Sequence, residues 1–281
     1  MRPWHLGNTT VRSPFRLREG LVALSTSPLQ GNLRGKDQEI ALRRLLGEHG
    51  IVELGDDETY SVGRKWRSAL NKLGFLYPEV PAAAGINQSE IGIIDMITPN
   101  GWRLIRADTV PAMQECFLRA LAAHYIPSAL EKNFSFSVFS PLRHTLAVML
   151  EIEKQTGTSR LNFVEMALIV QLSSSDDDLQ NIVEQILTLR ARREEAPNKR
   201  KFDRQEREAA SVVHSYAAST FNDYADTNFR YLKATGLVQS KGRGLSLVPE
   251  KHVFIEKLIQ DTGIPDSDRS YFITPCNGAI L

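Results

Sequence analysis

The stretch NFRYLKATGLVQSKGRGLSLVPE, residues 228–250, contains the pattern on which the fold prediction rests. The end of a helix with aromatic and basic residues leads into Gly236, followed by two short apolar runs around a Lys-Gly-Arg-Gly turn. Gly is the usual residue just past a helix, and apolar runs around a Gly-containing turn are typical of a β-hairpin. The pattern predicts a helix over residues 221–235 and a hairpin directly after it.

A similar phrase, WRSALNKLGFLYPE, occupies residues 66–79. Trp66, Ala69 and Leu73 fall on one helical face, and Gly74 stands where a left-handed residue ends many helices. The following FLY predicts a strand, and IGIIDMIT at residues 91–98 predicts its partner. One chain therefore contains two copies of the same order of elements.

The order of helices, then a Gly, then a hairpin is typical of a winged helix-turn-helix. We predict a mainly α protein with small β-hairpin wings, built from tandem winged helix-turn-helix subdomains. The predicted parts are an N-terminal basic arm (1–36), a first winged helix (37–126), connecting helices with a charged linker (127–208), a second winged helix (209–265) and the start of a linker to a further C-terminal domain (266–281).

The composition is that of a globular protein with a hydrophobic core. The chain has 281 residues, 42% of them hydrophobic, and a net charge of +1, so nucleic-acid binding would have to use local basic patches. Its two cysteines, Cys116 and Cys276, predict neither a disulfide framework nor a zinc site. The N-terminus lacks the apolar core of a signal peptide, and no run of residues is long and apolar enough to span a membrane. We expect a cytoplasmic protein.

Candidate DNA contacts follow from the predicted winged helices. Such a unit places the exposed face of its last helix in the major groove and its hairpin near the backbone. Arg and Asn can read guanine and adenine edges, and Lys or Arg on a Gly-flanked turn can approach phosphates. The candidates on the two helix faces, the hairpin turn and the N-terminal arm are Asn8, Thr9, Thr10, Arg12, Arg16, Arg34, Lys36, Arg64, Lys65, Arg67, Ser68, Asn71, Thr227, Arg230, Lys233, Lys241 and Arg243.

Each of these side chains alone is equally consistent with an ordinary solvated surface position, and winged helices also bind proteins. The combination of two copies, a basic turn and a basic arm favours DNA. The charged stretch at residues 190–207 is interpreted as a linker, because its acids nearly balance its bases.

The sequence contains no pattern of a catalytic or metal site. The motif [DE]-x-K, the minimal metal and base signature of restriction-type nucleases, does not occur in it. The six histidines are scattered without ligand spacing. We therefore predict no catalytic residue, no metal ligand and no cofactor in this chain.

Several phrases together resemble a known family. WHLGNTTVRSPFRLREGLVAL, RGKDQE, FSPLRHTLAVMLEI, LQNIVEQILTLRARREE and FRYLKATGLVQSKGRGLSLVPEK occur in this order. They are similar to the N-terminal half of the AlwI-type type IIS restriction endonucleases and their nicking relatives that read GAGTC. The similarity extends from the Arg12-Ser13-Pro14 segment to Pro249-Glu250-Lys251.

The resemblance implies recognition of a short asymmetric site in double-stranded DNA, such as GGATC or GAGTC, through winged-helix subdomains. It also implies a separate C-terminal PD-(D/E)xK domain that cuts with Mg²⁺ and would follow Leu281. The apolar end YFITPCNGAIL agrees with that expectation. An asymmetric target favours a monomer on the DNA, because a two-fold dimer matches a palindrome.

Two other function classes fit the same predicted fold. One is a stand-alone tandem winged-helix DNA-binding protein, such as a transcription regulator or a replication initiator. The other is a winged-helix scaffold that binds protein. A downstream PD…[DE]xK motif would separate the nuclease from the first, and selection of bound duplexes from random DNA would separate both from the second.

Overall fold

A computed structural model describes residues 2–54, 61–128, 134–262 and 264–281, and the chain divides into two compact units. Unit 1 consists of residues 1–6, 125–127 and 133–262, and unit 2 of residues 7–124, 128–132 and 263–281. The fold is mainly helical with one small antiparallel sheet among the described residues, which confirms the predicted fold class at this level.

The helices and strands follow each other in this order. In the first part of the chain the α-helices are α1 (Arg16–Ser25), α2 (Lys36–Glu48), α3 (Ser61–Lys72), α4 (Gln88–Ile91), α5 (Pro99–Arg106) and α6 (Val110–Ala122). They are followed by α7 (Pro141–Thr156), α8 (Phe163–Leu168), α9 (Leu179–Glu195), α10 (Lys199–His214), α11 (Ala218–Ala234), α12 (His252–Gln260) and α13 (Asp268–Asn277). The strands are β1 (Leu161–Asn162), β2 (Val238–Lys241) and β3 (Gly244–Leu247). Short 3-10 turns lie at Ala82–Ala84, Val170–Leu172 and Pro249–Lys251.

In unit 2, helices α1, α2 and α3 pack around one apolar cluster. Leu17, Leu21 and Leu24 of α1 are completely buried at the spacing of one helical face. The predicted N-terminal arm therefore contains a core helix, which sequence reasoning missed because Arg16, Arg18 and Glu19 mask the apolar period. Helices α2 and α3 approach closely at Gly63, where an added Cβ would lie 2.0 Å from the carbonyl oxygen of Glu39.

Both predicted helix ends are confirmed. Gly74 and Gly236 each have φ of +70°, in the left-handed region that glycine adopts without strain. The amide of Gly74 donates to the carbonyl of Asn71 at 3.0 Å, and the amide of Phe75 donates to Leu70 at 2.9 Å. These bonds satisfy carbonyls that the helix itself leaves without donors.

The predicted pairing after α3 is present, but within the described residues it is too short to form a regular hairpin. Leu76 and Ile97 form an isolated antiparallel bridge, and the amide of Tyr77 donates to the carbonyl of Met96 at 2.9 Å. Helix α4 ends at Ile91, where the partner strand was expected to begin. Gly92 and Asp95 both have positive φ, so the chain turns where an extended strand would have to continue.

The predicted C-terminal linker over residues 266–281 is also wrong, because helix α13 belongs to unit 2. Its Phe272 and Cys276 are buried. The guanidinium of Arg103 donates to the carbonyl of Asn277 at 2.9 Å, and that of Arg119 donates to Ala279 at 2.9 Å. The apolar end YFITPCNGAIL was expected to lead toward a further domain, but the segment packs against other helices of the unit.

In unit 1 the predicted hairpin after α11 is confirmed. Strand β2 pairs with β3 with Val238 opposite Leu247 and Lys241 opposite Gly244, and β3 also pairs with β1. The turn contains Gly242 at φ +61° and Arg243. The sheet order is thus β1-β3-β2, with β3 buried throughout.

The predicted charged linker forms two helices. Helix α9 continues to Glu195, and α10 begins at Lys199 after the break at Pro197. Arg193 donates to both oxygens of Asp203 at 2.6 and 2.9 Å, and Arg192 donates to both oxygens of Glu206 at 2.6 and 3.2 Å. The near balance of charge that suggested a linker is the result of ion pairs between these two helices. No helix among the described residues is long and apolar enough to cross a membrane.

The close approach at Gly63 predicts a loss of stability for Gly63→Ala. The added methyl group would have to push α3 away from the backbone of Glu39, and overpacking of this kind typically costs about 1–3 kcal/mol. Urea denaturation measures the change, and Ser68→Ala at an exposed position of the same helix should stay within about 0.5 kcal/mol of the native protein. Equal effects of the two substitutions would contradict the packing at this position.

A buried histidine in unit 2 predicts a pH dependence of stability. Burial, and to a lesser extent the charge of Lys72, lowers the pKa of His124 from 6.5 to about 3. Below pH 6.5 the unfolded chain binds a proton that the folded chain does not, so the free energy of unfolding should fall as the pH falls from about 6.5 toward 3. Between pH 7 and pH 5 the free energy of unfolding, measured by urea denaturation, should fall by about 2 kcal/mol less in His124→Gln than in the native protein. Substitution of the exposed His49 by Gln should leave the full drop, and a native-like drop in His124→Gln would refute the prediction.

Candidate nucleic-acid interface

Unit 1 contains a cleft of about 770 Å³ between helix α10, helix α11 and the β2–β3 hairpin. The aromatic rings of Phe163 and Phe229 pack edge to face in its lining, with centroids 5.7 Å apart. Leu245 of β3 adds a further apolar surface. The cleft therefore has an apolar part that is held by the core of unit 1.

The charged side chains around this cleft are mostly positive. They are Arg160, Arg193, Arg200, Arg207, Lys233, Arg243 and a single acid, Asp203. Asp203 accepts both hydrogen bonds from Arg193, and this contact is the first cause of the raised pKa of Arg193. The other five cations have no ion pair among the described residues. Their mutual repulsion is unfavourable, and a bound anion would offset it.

Local structure explains why these cations converge. Arg200 and Arg207 are seven residues apart on α10, two helical turns, so they lie on one face. The side chain of Asn198 caps that helix by accepting from the amide of Lys201 at 3.0 Å. Asn222, Phe229 and Lys233 form the corresponding face of α11, and Arg243 lies in the hairpin turn.

Arg160 has an unusual environment within the cleft. Its Nε is buried and has no hydrogen-bond partner among the residues that the structure describes. A Cβ at Gly242 would lie 3.3 Å from Nη2 of Arg160, so glycine in the turn leaves room for this guanidinium. A buried donor without a partner costs about 1–3 kcal/mol, which an anionic ligand in the cleft could recover.

The predicted site residues of unit 1 do not form one surface. Lys233 and Arg243 line the basic cleft, whereas Lys241 is exposed and lines a second groove of about 550 Å³ with Glu153 and His252. Arg230 donates to the carboxylate of Asp226 one turn earlier at 2.6 Å.

Thr227 does not face solvent as predicted. Its exposed fraction is 4%, and its hydroxyl donates to the carbonyl of Asp223 at 2.7 Å. Its position in the helical period predicted an exposed side chain, but α11 is covered on more of its circumference than one apolar stripe, since Asn228 is also completely buried.

In unit 2 the face of α3 is only partly open to solvent. Arg64 and Ser68 are exposed and Lys65 is half-buried. Arg67 and Asn71 are also half-buried, and both donate to the carboxylate of Asp95.

The candidates of the N-terminal segment lie on the same unit. Arg12 and Lys36 are exposed, whereas Arg16 donates to Glu19 at 3.2 Å and to the carbonyl of Gly50 at 2.6 Å. Arg34 donates to Glu79 at 2.7 Å. At the start of this unit Asn8, Thr9 and Thr10 are half-buried. The amide of Thr10 donates to the side chain of Asn8 at 3.0 Å.

Sequence reasoning missed four cations of the cleft: Arg160, Arg193, Arg200 and Arg207. For Arg200 and Arg207 the signal was present as a seven-residue spacing, but the segment was interpreted as a linker. Arg160 has no such signal, because its position depends on the pairing of β1 with β3. Within the described residues no three His, Cys, Asp or Glu side chains cluster so that they could hold a metal ion.

The chain is similar to known proteins both in sequence and in fold. The family model described as AlwI restriction endonuclease matches residues 71–281. A solved structure titled as pyrene- and phenanthrene-modified DNA in complex with the BpuJ1 endonuclease binding domain is similar in fold, with a TM-score of 0.54. The similarity covers 91% of this chain and 87% of that chain at 12% sequence identity, and so it concerns the fold alone. No curated protein matches the sequence.

The unpaired cations predict that the cleft binds inorganic phosphate. Phosphate should raise the melting temperature of the protein more than sodium chloride of equal ionic strength, by about 1.4 kcal/mol in stability at ten times the dissociation constant. The double substitution Arg207→Ala, Arg243→Ala should remove most of this difference. Lys154→Ala, an exposed lysine of the same unit, serves as the control. Full phosphate stabilisation in the double variant would exclude the cleft as the anion site.

Proposed function

Because the chain belongs to the AlwI restriction endonuclease family, we propose that residues 1–281 recognise a short asymmetric sequence in double-stranded DNA. The observation that carries this proposal is the group of five cations without ion pairs, among the residues that the structure describes, around the cleft of unit 1. Restriction endonucleases act on DNA, and phosphodiesters are the anions that such a group would meet there. The similar structure supports the proposal, since it contains the BpuJ1 endonuclease binding domain in complex with DNA.

The size and charge of the cleft suit the backbone of a duplex better than its bases. A volume of about 770 Å³ admits phosphate and sugar groups, and the guanidinium groups can donate paired hydrogen bonds to phosphate oxygens. If all five cations contact phosphates, the logarithm of affinity should fall with the logarithm of salt concentration with a slope of about −4 to −5. Such contacts orient the protein on DNA and leave sequence reading to other side chains.

We interpret unit 1 as a winged helix with an insertion. Helices α7, α8 and α11 followed by the β2–β3 hairpin have the expected order, and the pair α9–α10 is inserted between α8 and α11. In this interpretation α11 enters the major groove and the hairpin lies on the adjacent backbone. Arg200 and Arg207 of the inserted pair then add phosphate contacts beside the hairpin.

We interpret unit 2 in the same way, with α1, α2 and α3 as its three helices. Its second half is reduced to the bridge between Leu76 and Ile97. Helix α3 then presents Arg64, Ser68 and Arg67 toward the bases. Two such units on one chain suit a target without two-fold symmetry, and we propose a monomer on a five-base site of the GGATC or GAGTC kind.

Cleavage is a separate part of the proposal. The Mg²⁺ that the family resemblance implies would serve a PD-(D/E)xK domain outside residues 1–281. We propose a cytoplasmic location for the protein. The described residues offer no cluster of carboxylates for this ion. The function proposed for this chain is therefore recognition, and no step of it passes through a metal.

Selection of bound duplexes from a random pool tests the proposal. The protein should enrich one asymmetric sequence, and titration of that duplex should show a salt slope of about −4 to −5. Arg207→Ala and Arg243→Ala should each weaken binding to selected and scrambled duplexes alike and reduce the slope by about 1. Lys154→Ala should change neither quantity. Failure to enrich any sequence, together with a slope near zero, would refute DNA recognition.

A further inference from the structure

Unit 2 contains a buried carboxylate that holds an arginine of helix α3. Asp95 is 1% exposed, and its two carboxylate oxygens lie 2.8 and 2.9 Å from Nε of Arg67. The amide group of Asn71 donates to the same carboxylate at 3.3 Å. The side chain of Arg67 keeps an exposed fraction of 18%, so the carboxylate is buried while part of the arginine side chain remains accessible.

The backbone of Asp95 is strained at this position. Its φ is +63°, a left-handed conformation that side chains other than glycine adopt at a cost. Hydrogen bonds hold it on both sides, because its amide donates to the carbonyl of Tyr77 at 2.9 Å and its carbonyl accepts from the amide of Gly31 at 3.3 Å. Glycine would relieve the strain but would lack the carboxylate. Strained residues of this kind concentrate at functional positions.

We propose that Asp95 is a positioning residue, which fixes the guanidinium of Arg67 so that its Nη edge reads a guanine in the major groove. Asp95 engages Nε, and Arg67 makes no other hydrogen bond or ion pair among the described residues. The two Nη groups are the ones that pair with O6 and N7 of guanine. Holding them in place beforehand removes the entropy that a free arginine would lose on binding.

The position of Arg67 on the helix agrees with this role. Arg64 and Ser68, one turn and one residue away, are exposed, so Arg67 lies at the border between the open face of α3 and the segment that contains Asp95. The segment that replaces the predicted hairpin thus supplies the group that orients a residue of the reading helix. This inference rests on the proposed function, since it requires that unit 2 contacts a duplex.

A purely structural ion pair is the competing explanation. Burial of a carboxylate is costly unless a cation or hydrogen-bond donors compensate its charge, so Arg67 and Asn71 could serve stability alone. The two explanations differ in their effect on DNA: a structural pair affects binding only through folding, whereas a positioning residue affects the recognition of one base pair.

The experiment uses the selected duplex with each guanine replaced in turn by 7-deazaguanine, which lacks the N7 acceptor. For the native protein, one of these duplexes should bind roughly 5- to 150-fold more weakly than the natural duplex. Asp95→Asn and Asp95→Gly should weaken binding of the natural duplex by a comparable factor, and the 7-deazaguanine at that position should then have little further effect. Both variants suit a residue at φ +63°, because Asn and Gly tolerate the left-handed region.

Controls separate this inference from the proposed function. Glu115→Gln removes a surface ion pair with Arg119 in the same unit and should retain the native dependence on guanine. Arg67→Lys keeps the charge but lacks the paired donors of the guanidinium. Its binding should no longer depend on N7 of the same guanine that the Asp95 variants fail to read.

Two results would overturn the inference. One is a native dependence on every guanine in folded Asp95→Asn and Asp95→Gly. The other is failure of both variants to fold, which would assign the carboxylate a structural role. If the native protein enriches no duplex at all, the proposed function itself fails.

Discussion

Each helix that leads to a candidate contact surface must end at a residue that can adopt a left-handed backbone. Gly74 and Gly236 meet this requirement with the same φ of +70°. At Gly74 the space is also restricted, because a Cβ there would lie 2.1 Å from the carbonyl oxygen of Pro275. After Gly236 the chain turns into the hairpin whose Arg243 lines the same cleft as Lys233. After Gly74 it turns toward the segment that contains Asp95.

Charged residues that form ion pairs stabilise the fold, whereas the cations around the cleft remain without ion pairs among the described residues. The chain has almost equal numbers of basic and acidic residues, 34 and 33. Many of them pair within a unit, such as Arg193 with Asp203 and Arg190 with the buried Glu165. What remains around the cleft is a local excess of positive charge in a protein with a net charge of +1. Local arrangement, and not total charge, is therefore the basis of the anion binding that we propose.

The two units use their hydrophobic residues to hold polar ones in place. In the cleft, Phe163 and Phe229 pack against each other and support the base of the cationic group. In unit 2, the packing of α2 on α3 at Gly63 fixes the helix that carries Arg67. Phe229 and Gly63 are buried, so substitutions there are expected to act on stability, whereas substitutions of the cations are expected to act on the proposed binding.

Much of the local structure was predictable from local sequence. Helix α11, its end at Gly236 and the hairpin follow from patterns within some thirty residues, because turn chemistry and helical periodicity act at short range. The same patterns identified Lys233 and Arg243. They were less informative where polar residues hide an apolar face, as in α1, or where oppositely charged helices look like a linker, as in α9 and α10.

The sequence by itself determined the helix ends, the hairpin, the resemblance to a restriction endonuclease family and the residue types available for contact. Only the tertiary structure decided which of those residues act together. Thr227 is buried, Arg67 is held by a carboxylate 28 residues later in the chain, and Arg160 reaches the cleft through a strand pairing. The physical reason is that burial and ion pairing depend on neighbours that are distant along the chain, whereas turns and helix periods depend on adjacent residues.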